Sequence, residues 1–244
     1  MNLEFSLVVL CYGAKEYPRI FSKQLIEVLD KRGLDYEIIL VGNYIPGKDE
    51  ITPKVVGELA ESHPRIRAVI KKIEQQGEGG MGWNMRSGLE AARGNSIGVI
   101  DGDGQMPAQD VVRVYNKLMS ENLDLCKTQR ISRDDGMWRK FISRAFNTLM
   151  ILLFPGISPA DINGKPKIMT RAAYEKLNLE SSDWFIDAEI MIKARRLNLR
   201  IGNVETVFYK HPRRASFISF RAIWEFIKNI VRYRIKEFSA THGK

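Results

Sequence analysis

The sequence predicts an α/β protein, a mostly parallel sheet with helices on both faces. Three observations lead there. Short apolar runs alternate with segments of helical period from the first residues onward. The 244 residues, 44% of them hydrophobic, are enough to bury a large core without disulfides. No internal repeat, low-complexity tract or long linker divides the chain.

The elements follow in order. Strands are expected at 5–10 (FSLVVL), 36–41, 66–70, 97–100 and 123–127, and helices at 18–31, 52–62, 82–93 and 107–120. In parallel sheets of this kind the ligand sits beyond the carboxyl ends of the strands, so the loops after Leu10, Val41, Ile70 and Ile100 should line the site. The regularity then fades. A loop rich in Arg and Asp precedes a long helix at 138–154, a strand at 165–169, a helix at 186–196 and a strand at 200–208.

Cys11 and Cys126 are the only cysteines and lie far apart in apolar runs, which predicts a reducing, cytoplasmic setting. The opening MNLEFSLVVLCYG lacks a basic leader and reads as a first strand rather than a signal peptide. The apolar stretch 149–154 is too short to span a bilayer. Of the net charge of +9, most falls between Lys210 and Lys236, where eight Lys or Arg face Glu225 alone. A localised basic segment points to an anionic partner. Phe220, Ile223, Trp224, Ile227, Ile230, Val231 and Phe238 are expected on one helical face, with Arg221, Lys228, Arg232 and Lys236 on the other. Such a helix either lies on a membrane surface or docks on the core with a charged outer side. The expected division is a domain over 1–215 and a basic amphipathic helix and tail over 216–244. No nucleic-acid-reading motif is present, so nucleic acid is not expected as a partner.

The sharpest chemical signal is Asp101-Gly102-Asp103-Gly104-Gln105, directly after an apolar strand. Two carboxylates on one turn, with a neutral amide oxygen beside them, suit Mg²⁺ or Mn²⁺, which take oxygen ligands and keep positions open for phosphate. The plainer alternative is a polar turn, because Asp and Gly favour turns. Gly77-x-Gly79-x-x-Gly82 matches a dinucleotide fingerprint literally, but it lies in the third βα unit and is separated from its strand by 71–76. A loop over donor phosphates explains these glycines as well.

The stretch DGDGQMPAQD, with the order of elements around it, resembles family-2 glycosyltransferases, especially the dolichol-phosphate mannose synthase and polyprenyl-phosphate sugar transferase type. The likeness runs from about Leu3 to Phe217 through GMGWNMRSGLEAARG, Gln129-Arg130, RKFISRAFN, Asp161-Ile-Asn-Gly164, Asp187-Ala-Glu189 and His211-Pro-Arg213. It implies a GT-A, Rossmann-like fold and inverting transfer of a sugar from a nucleotide diphosphate donor (GDP-mannose or UDP-hexose) with Mg²⁺ or Mn²⁺. The acceptor implied is a polyprenyl or dolichyl phosphate at the cytoplasmic membrane face.

Asp101, Asp103 and Gln105 would form the metal site, with Asp101 also facing the nucleotide. Arg130, Arg139 and Ser143, with Asp103 the catalytic candidates, would contact phosphate oxygens near the transferred sugar. Tyr12, Asn43, Arg86 and Arg213 would bind the donor. A phosphate acceptor needs no strong base, whereas a sugar hydroxyl of a glycan or glycolipid would need one from Asp161, Asp187 or Glu189. Gly42-Asn43-Tyr44 departs from the family's acidic turn after the second strand, and a non-catalytic nucleotide-binding protein of the same fold is the third reading.

Overall fold

The computed structural model describes residues 3–48, 51–75, 78–133, 147–157, 161–208 and 227–235. Strand β1 (Phe5–Leu10) is the centre of the sheet, pairing in parallel with β2 (Tyr36–Val41) on one side and β4 (Ser96–Asp101) on the other. β3 (Ile66–Val69) continues the parallel sheet outward from β2. Strands covered on both faces favour near-continuous apolar runs, and β1, β2 and β4 are buried along almost their whole length, with Ser6 and Glu37 paired to each other where polarity enters. The alternation still sorts them. Val8, Ile39 and Val99 face one layer of helices, while Leu7, Val9, Ile38 and Ile100 face the other.

The second layer contains α1 (Tyr17–Arg32), which carries Pro18 in its first turn and ends at Gly33 with φ 72°, and α4 (Gln109–Ser120). Val111, Val114, Tyr115 and Leu118 give α4 its buried stripe. α2 (Ile51–Ser62) adds Val56 to the same core. On the opposite face α3 (Met81–Ala91) packs Met85 and Leu89 inward. A Cβ at Gly88 would overlap Val8, so the absence of a side chain there lets the helix press on β1.

The sheet order β3-β2-β1-β4-β6-β5-β7 closes with three strands of the second half. β5 (Leu125–Arg133) runs parallel to β7 (Ile201–Phe208), and β6 (Lys167–Thr170) is antiparallel to both β4 and β5. Helical residues 147–153 (α5), α6 (Arg171–Leu177), α7 (Ile186–Arg196) and helical residues 227–235 (α8) cover this half.

Three findings differ from the expectation. β5 continues to Arg133, because pairing with β7 holds a polar segment extended that hydropathy reads as loop. α6 follows β6 without a gap, with Thr170 Oγ1 accepting from Ala173 N at 3.2 Å as its cap. The expected apolar face of α8 is split. Ile230 and Tyr233 are buried in the core, with Tyr233 5.0 Å from the Phe185 ring, while Ile227, Val231 and Ile235 are 46%, 52% and 60% exposed. Residues 138–146 of the expected long helix, and the tail outside 227–235, lie outside the described residues.

Candidate functional site

Chain order runs from β1 outward to β2 and β3, then returns to β4 on the other side of β1. The crevice between the carboxyl ends of β1 and β4 is therefore the topological switch point, where open α/β sheets bind ligands. Asp101 is the last residue of β4 and pairs with Leu10 of β1. Gly102 N donates to Leu10 O at 2.9 Å, turning the chain across the strand end. Gln105 N donates to Asp103 Oδ1 at 3.1 Å, which fixes the second carboxylate on the turn. Gly104 sits at φ 68°, and a Cβ there would overlap the Tyr17 hydroxyl, so the turn requires glycine twice over.

Asp101, Asp103 and Gln105 thus share one short turn at the expected place. Two carboxylates and an amide are the hard oxygen donors that Mg²⁺ or Mn²⁺ accepts, and such sites leave coordination positions to phosphate. The donor set fits such an ion. Among the described residues no group of three His, Cys, Asp or Glu side chains could hold a metal unaided.

Behind this turn lies a wall of interleaved charges that the sequence reading did not foresee. Lys165 Nζ is 3.3 and 3.4 Å from the two Asp101 oxygens and 3.2 Å from Asp187 Oδ2. Lys167 Nζ donates to Asp187 Oδ1 and, at 3.1 Å, to Ile162 O. Lys127 Nζ donates to Asp161 O at 2.8 Å, and Arg130 pairs with Asp161 through both Nε and a terminal nitrogen, the latter at 2.6 Å. Four cations from β5 and the 165–167 segment meet three carboxylates. The Asp161–Lys165 segment lies against β5, where Thr128 Oγ1 donates to Lys165 O at 2.6 Å and a Cβ at Gly164 would overlap Thr128 O.

Burial sets the protonation of this wall. It raises the Asp187 pKa, but Lys165 and Lys167 outweigh it and hold the carboxyl below its usual range. For Lys165 burial pulls downward, and Asp101 and Asp187 overcome it to keep the ammonium charged. The Lys127 pKa moves the opposite way. Burial and then the Lys167 charge lower it to about 7, against the opposing pull of Asp161. The signal in the sequence was lysine inside apolar strand runs, LCKT and KPKIM, where an unpaired charge is expensive.

The remaining expected residues are scattered more widely. Asn43 is buried, donating to Asn84 Oδ1 at 2.8 Å and Ser87 Oγ at 3.1 Å while accepting from Lys71 N at 2.7 Å. Its amide stitches the turn after β2 to α3. Arg86 reaches Leu179 O and Ser182 Oγ, away from the carboxylate turn. Tyr12 stands exposed after β1. Asp187 and Glu189 are interior residues. Glu189 accepts from Glu180 N and Ser181 N, both at 2.8 Å, and from Lys193 Nζ at 2.7 Å. Both are tied to neighbouring elements, Asp187 by Lys165 and Lys167 and Glu189 by the 180–181 backbone, and so help to hold α7 in place. Arg139, Ser143 and Arg213 lie outside the described residues. The glycines ahead of α3 have a packing role. A Cβ at Gly80 or Gly82 would overlap backbone oxygens at 181–183, and Gly82 N and Trp83 N donate to Asp183 O and Ser182 O, each at 3.0 Å.

The arrangement can be compared with known proteins. A dolichyl-phosphate beta-glucosyltransferase of Trichomonas vaginalis is 26% identical over 222 residues, covering 83% of this chain and 65% of that protein. The chain spans 26%, 32% and 65% of the length of the first three curated relatives it matches. The fold is shared with mannosyl-3-phosphoglycerate synthase from Rubrobacter xylanophilus, at TM-score 0.70 and 18% identity over 96% of this chain and 75% of that one. It is shared too with glucosyl-3-phosphoglycerate synthase from Mycobacterium tuberculosis in complex with Mn²⁺, UDP-glucose and phosphoglyceric acid. That TM-score is 0.64 at 16% identity, covering 95% and 79% of the two chains. The sequence pattern described as glycosyl transferase family 2 matches residues 6–180. With a switch-point carboxylate turn inside a match that spans most of its residues, the chain belongs to glycosyl transferase family 2.

Proposed function

We propose that the enzyme transfers a sugar, with inversion, from a nucleoside diphosphate donor to a polyprenyl or dolichyl phosphate at a membrane surface. The observation that carries this reading is the Asp101-x-Asp103-x-Gln105 turn at the switch point of the sheet. Asp103 and Gln105, with Asp101 beside them, would hold Mg²⁺ or Mn²⁺. A bound divalent ion would neutralise the charge that develops on a departing nucleoside diphosphate. The Mn²⁺ and UDP-glucose bound by the Mycobacterium tuberculosis enzyme of the same fold support the choice of cofactor and donor class. Arg139, Ser143 and Arg213 are proposed as further phosphate contacts, and Tyr12 as a donor contact.

The acceptor class follows from proton chemistry. A sugar hydroxyl has to lose a proton during attack, whereas a phosphate monoester oxygen is already ionised. Asp161 is paired with Arg130, Asp187 with two lysines, and Glu189 is enclosed by two backbone N–H groups and Lys193. Carboxylates held as ion pairs are poor proton acceptors, which favours the phosphate over the hydroxyl. The dolichyl-phosphate relative points the same way.

No helix among the described residues is long and apolar enough to cross a membrane. Contact with lipid is assigned instead to the outward ridge of α8, Ile227, Val231 and Ile235, flanked by Lys228, Arg232 and Arg234. Apolar residues beside basic ones suit an anionic cytoplasmic leaflet. The test is transfer from GDP-mannose and UDP-glucose to undecaprenyl and dolichyl phosphate with Mn²⁺ present. Asp103→Ala should fold normally and lose transfer by at least about a thousandfold, the scale of removing a main transition-state stabiliser. Full activity in that variant, or transfer only to sugar hydroxyls, contradicts the proposal.

A further inference from the structure

The Asp101 carboxylate already faces a cation that the protein supplies. Lys165 Nζ lies 3.3 and 3.4 Å from its two oxygens, in a side chain only 3% exposed, whereas the Asp101 side chain is 37% exposed. A buried lysine this close to a partly open carboxylate has two simple explanations: it neutralises a buried acid, or it serves the open site. The buried acid is Asp187, and that carboxylate has Lys167 on its other oxygen. One ammonium is enough for one carboxylate, so the Lys165 charge is balanced chiefly by Asp101.

Resting on the donor-site reading above, we infer that Lys165 is a resident cation of that site. It competes with a divalent ion for Asp101 and supplies positive charge to the donor diphosphate. An ammonium and a hard divalent ion seek the same carboxylate lone pairs, and at this spacing they also repel each other. A divalent ion that draws on Asp101 leaves two ammoniums, Lys165 and Lys167, sharing Asp187. The surplus positive charge then stands at the inner edge of the carboxylate turn, where a diphosphate carries its negative charge. Lys165 is in this sense a positioning and charge-matching residue, acting through Asp101. Its place in the fold is set by the bend at 165–166 that leads into β6, and Thr128 fixes its carbonyl at 2.6 Å.

The consequence is a pair of opposite effects that a merely structural role would not produce. In Lys165→Met the competing ammonium is gone. Mn²⁺ binding without nucleotide, followed by the electron paramagnetic resonance signal of free Mn²⁺, should tighten by roughly tenfold. UDP and GDP binding in the presence of EDTA, followed by calorimetry, should weaken by a similar factor. Lys165→Arg, which keeps the charge, should stay near wild type in both. Asp187 keeps Lys167 in every variant, so its charge stays compensated. Should Lys165→Met fail to fold, Lys165→Gln removes the charge while keeping a polar tip, and the same two titrations apply. Unchanged Mn²⁺ affinity, or weakening of both ligands together, overturns the inference while leaving the donor site intact. Wild-type protein that takes up no Mn²⁺ overturns the metal site itself, and the inference with it.

Discussion

Lys127 shows how much a single side chain can reveal. It is fully buried in β5, and its pKa falls to about 7 because burial outweighs the nearby carboxyl groups. An unfolded chain keeps that lysine mostly protonated up to about pH 10. The unfolded state therefore binds more protons between the two values, and stability rises with pH across that window. The penalty is present in full below about pH 7 and disappears as pH approaches the unfolded value. Lys127→Met should accordingly stabilise the protein most in mildly acidic buffer. That gain should shrink by on the order of 1–2 kcal/mol between about pH 6.5 and about pH 8.5, as read from urea unfolding at each pH. A gain that stays constant with pH would mean that the lysine is charged throughout. At this scale the sequence was partly legible. Asp101, Asp103 and Gln105 are legible because two acids and an amide directly after an apolar strand offer oxygen donors on one turn, although a plain polar turn reads the same way. Lys127, Lys165 and Lys167 are visible in sequence only as charges within apolar runs, and which carboxylates they meet depends on the pairing of distant segments.

At the scale of elements, β1 to β4 and their helices are legible because interior parallel strands favour near-continuous apolar runs. The same logic fails where pairing rather than burial makes the strand. The stretch 128–133 is polar and exists as strand because β7 supplies its hydrogen bonds. α6 is a seven-residue helix with little period to detect. α8 was recognised as amphipathic but not as two-sided, since Ile230 and Tyr233 dock on the core while Ile227, Val231 and Ile235 turn outward. The docked side is secured by Asn229 Nδ2 donating to Asp183 Oδ2 at 2.6 Å and by the hydrogen bond between Tyr233 and Glu189. The two sides make separable predictions. Val231→Glu should leave the melting temperature nearly unchanged, because exposed substitutions rarely shift stability by more than about 0.5 kcal/mol. It should also release the protein from vesicles containing phosphatidylglycerol in a sedimentation assay. Retained sedimentation at low salt would remove α8 from the membrane contact.

The whole molecule is organised around one asymmetry of the sheet. The first half, β3-β2-β1-β4, supplies the crevice and the carboxylate turn. The second half, β6-β5-β7, turns one strand antiparallel and brings three lysines and an arginine up behind that turn. On the proposed reading, carboxylates backed by buried cations would take a metal ion together with a diphosphate, whose opposite charges offset each other. Most elements of both halves are legible in hydropathy, but the chemistry of the second depends on which residues of β5, β6 and α7 meet across the sheet, which hydropathy does not give.

The most direct measurement of the central claim is anomalous scattering from crystals grown with Mn²⁺ and a nucleoside diphosphate. The account predicts a manganese peak at about 2.0–2.2 Å from an Asp103 oxygen, with diphosphate oxygens completing its shell. A nucleotide bound at the switch point with no peak there, and with Asp103 turned away from it, would contradict the claim.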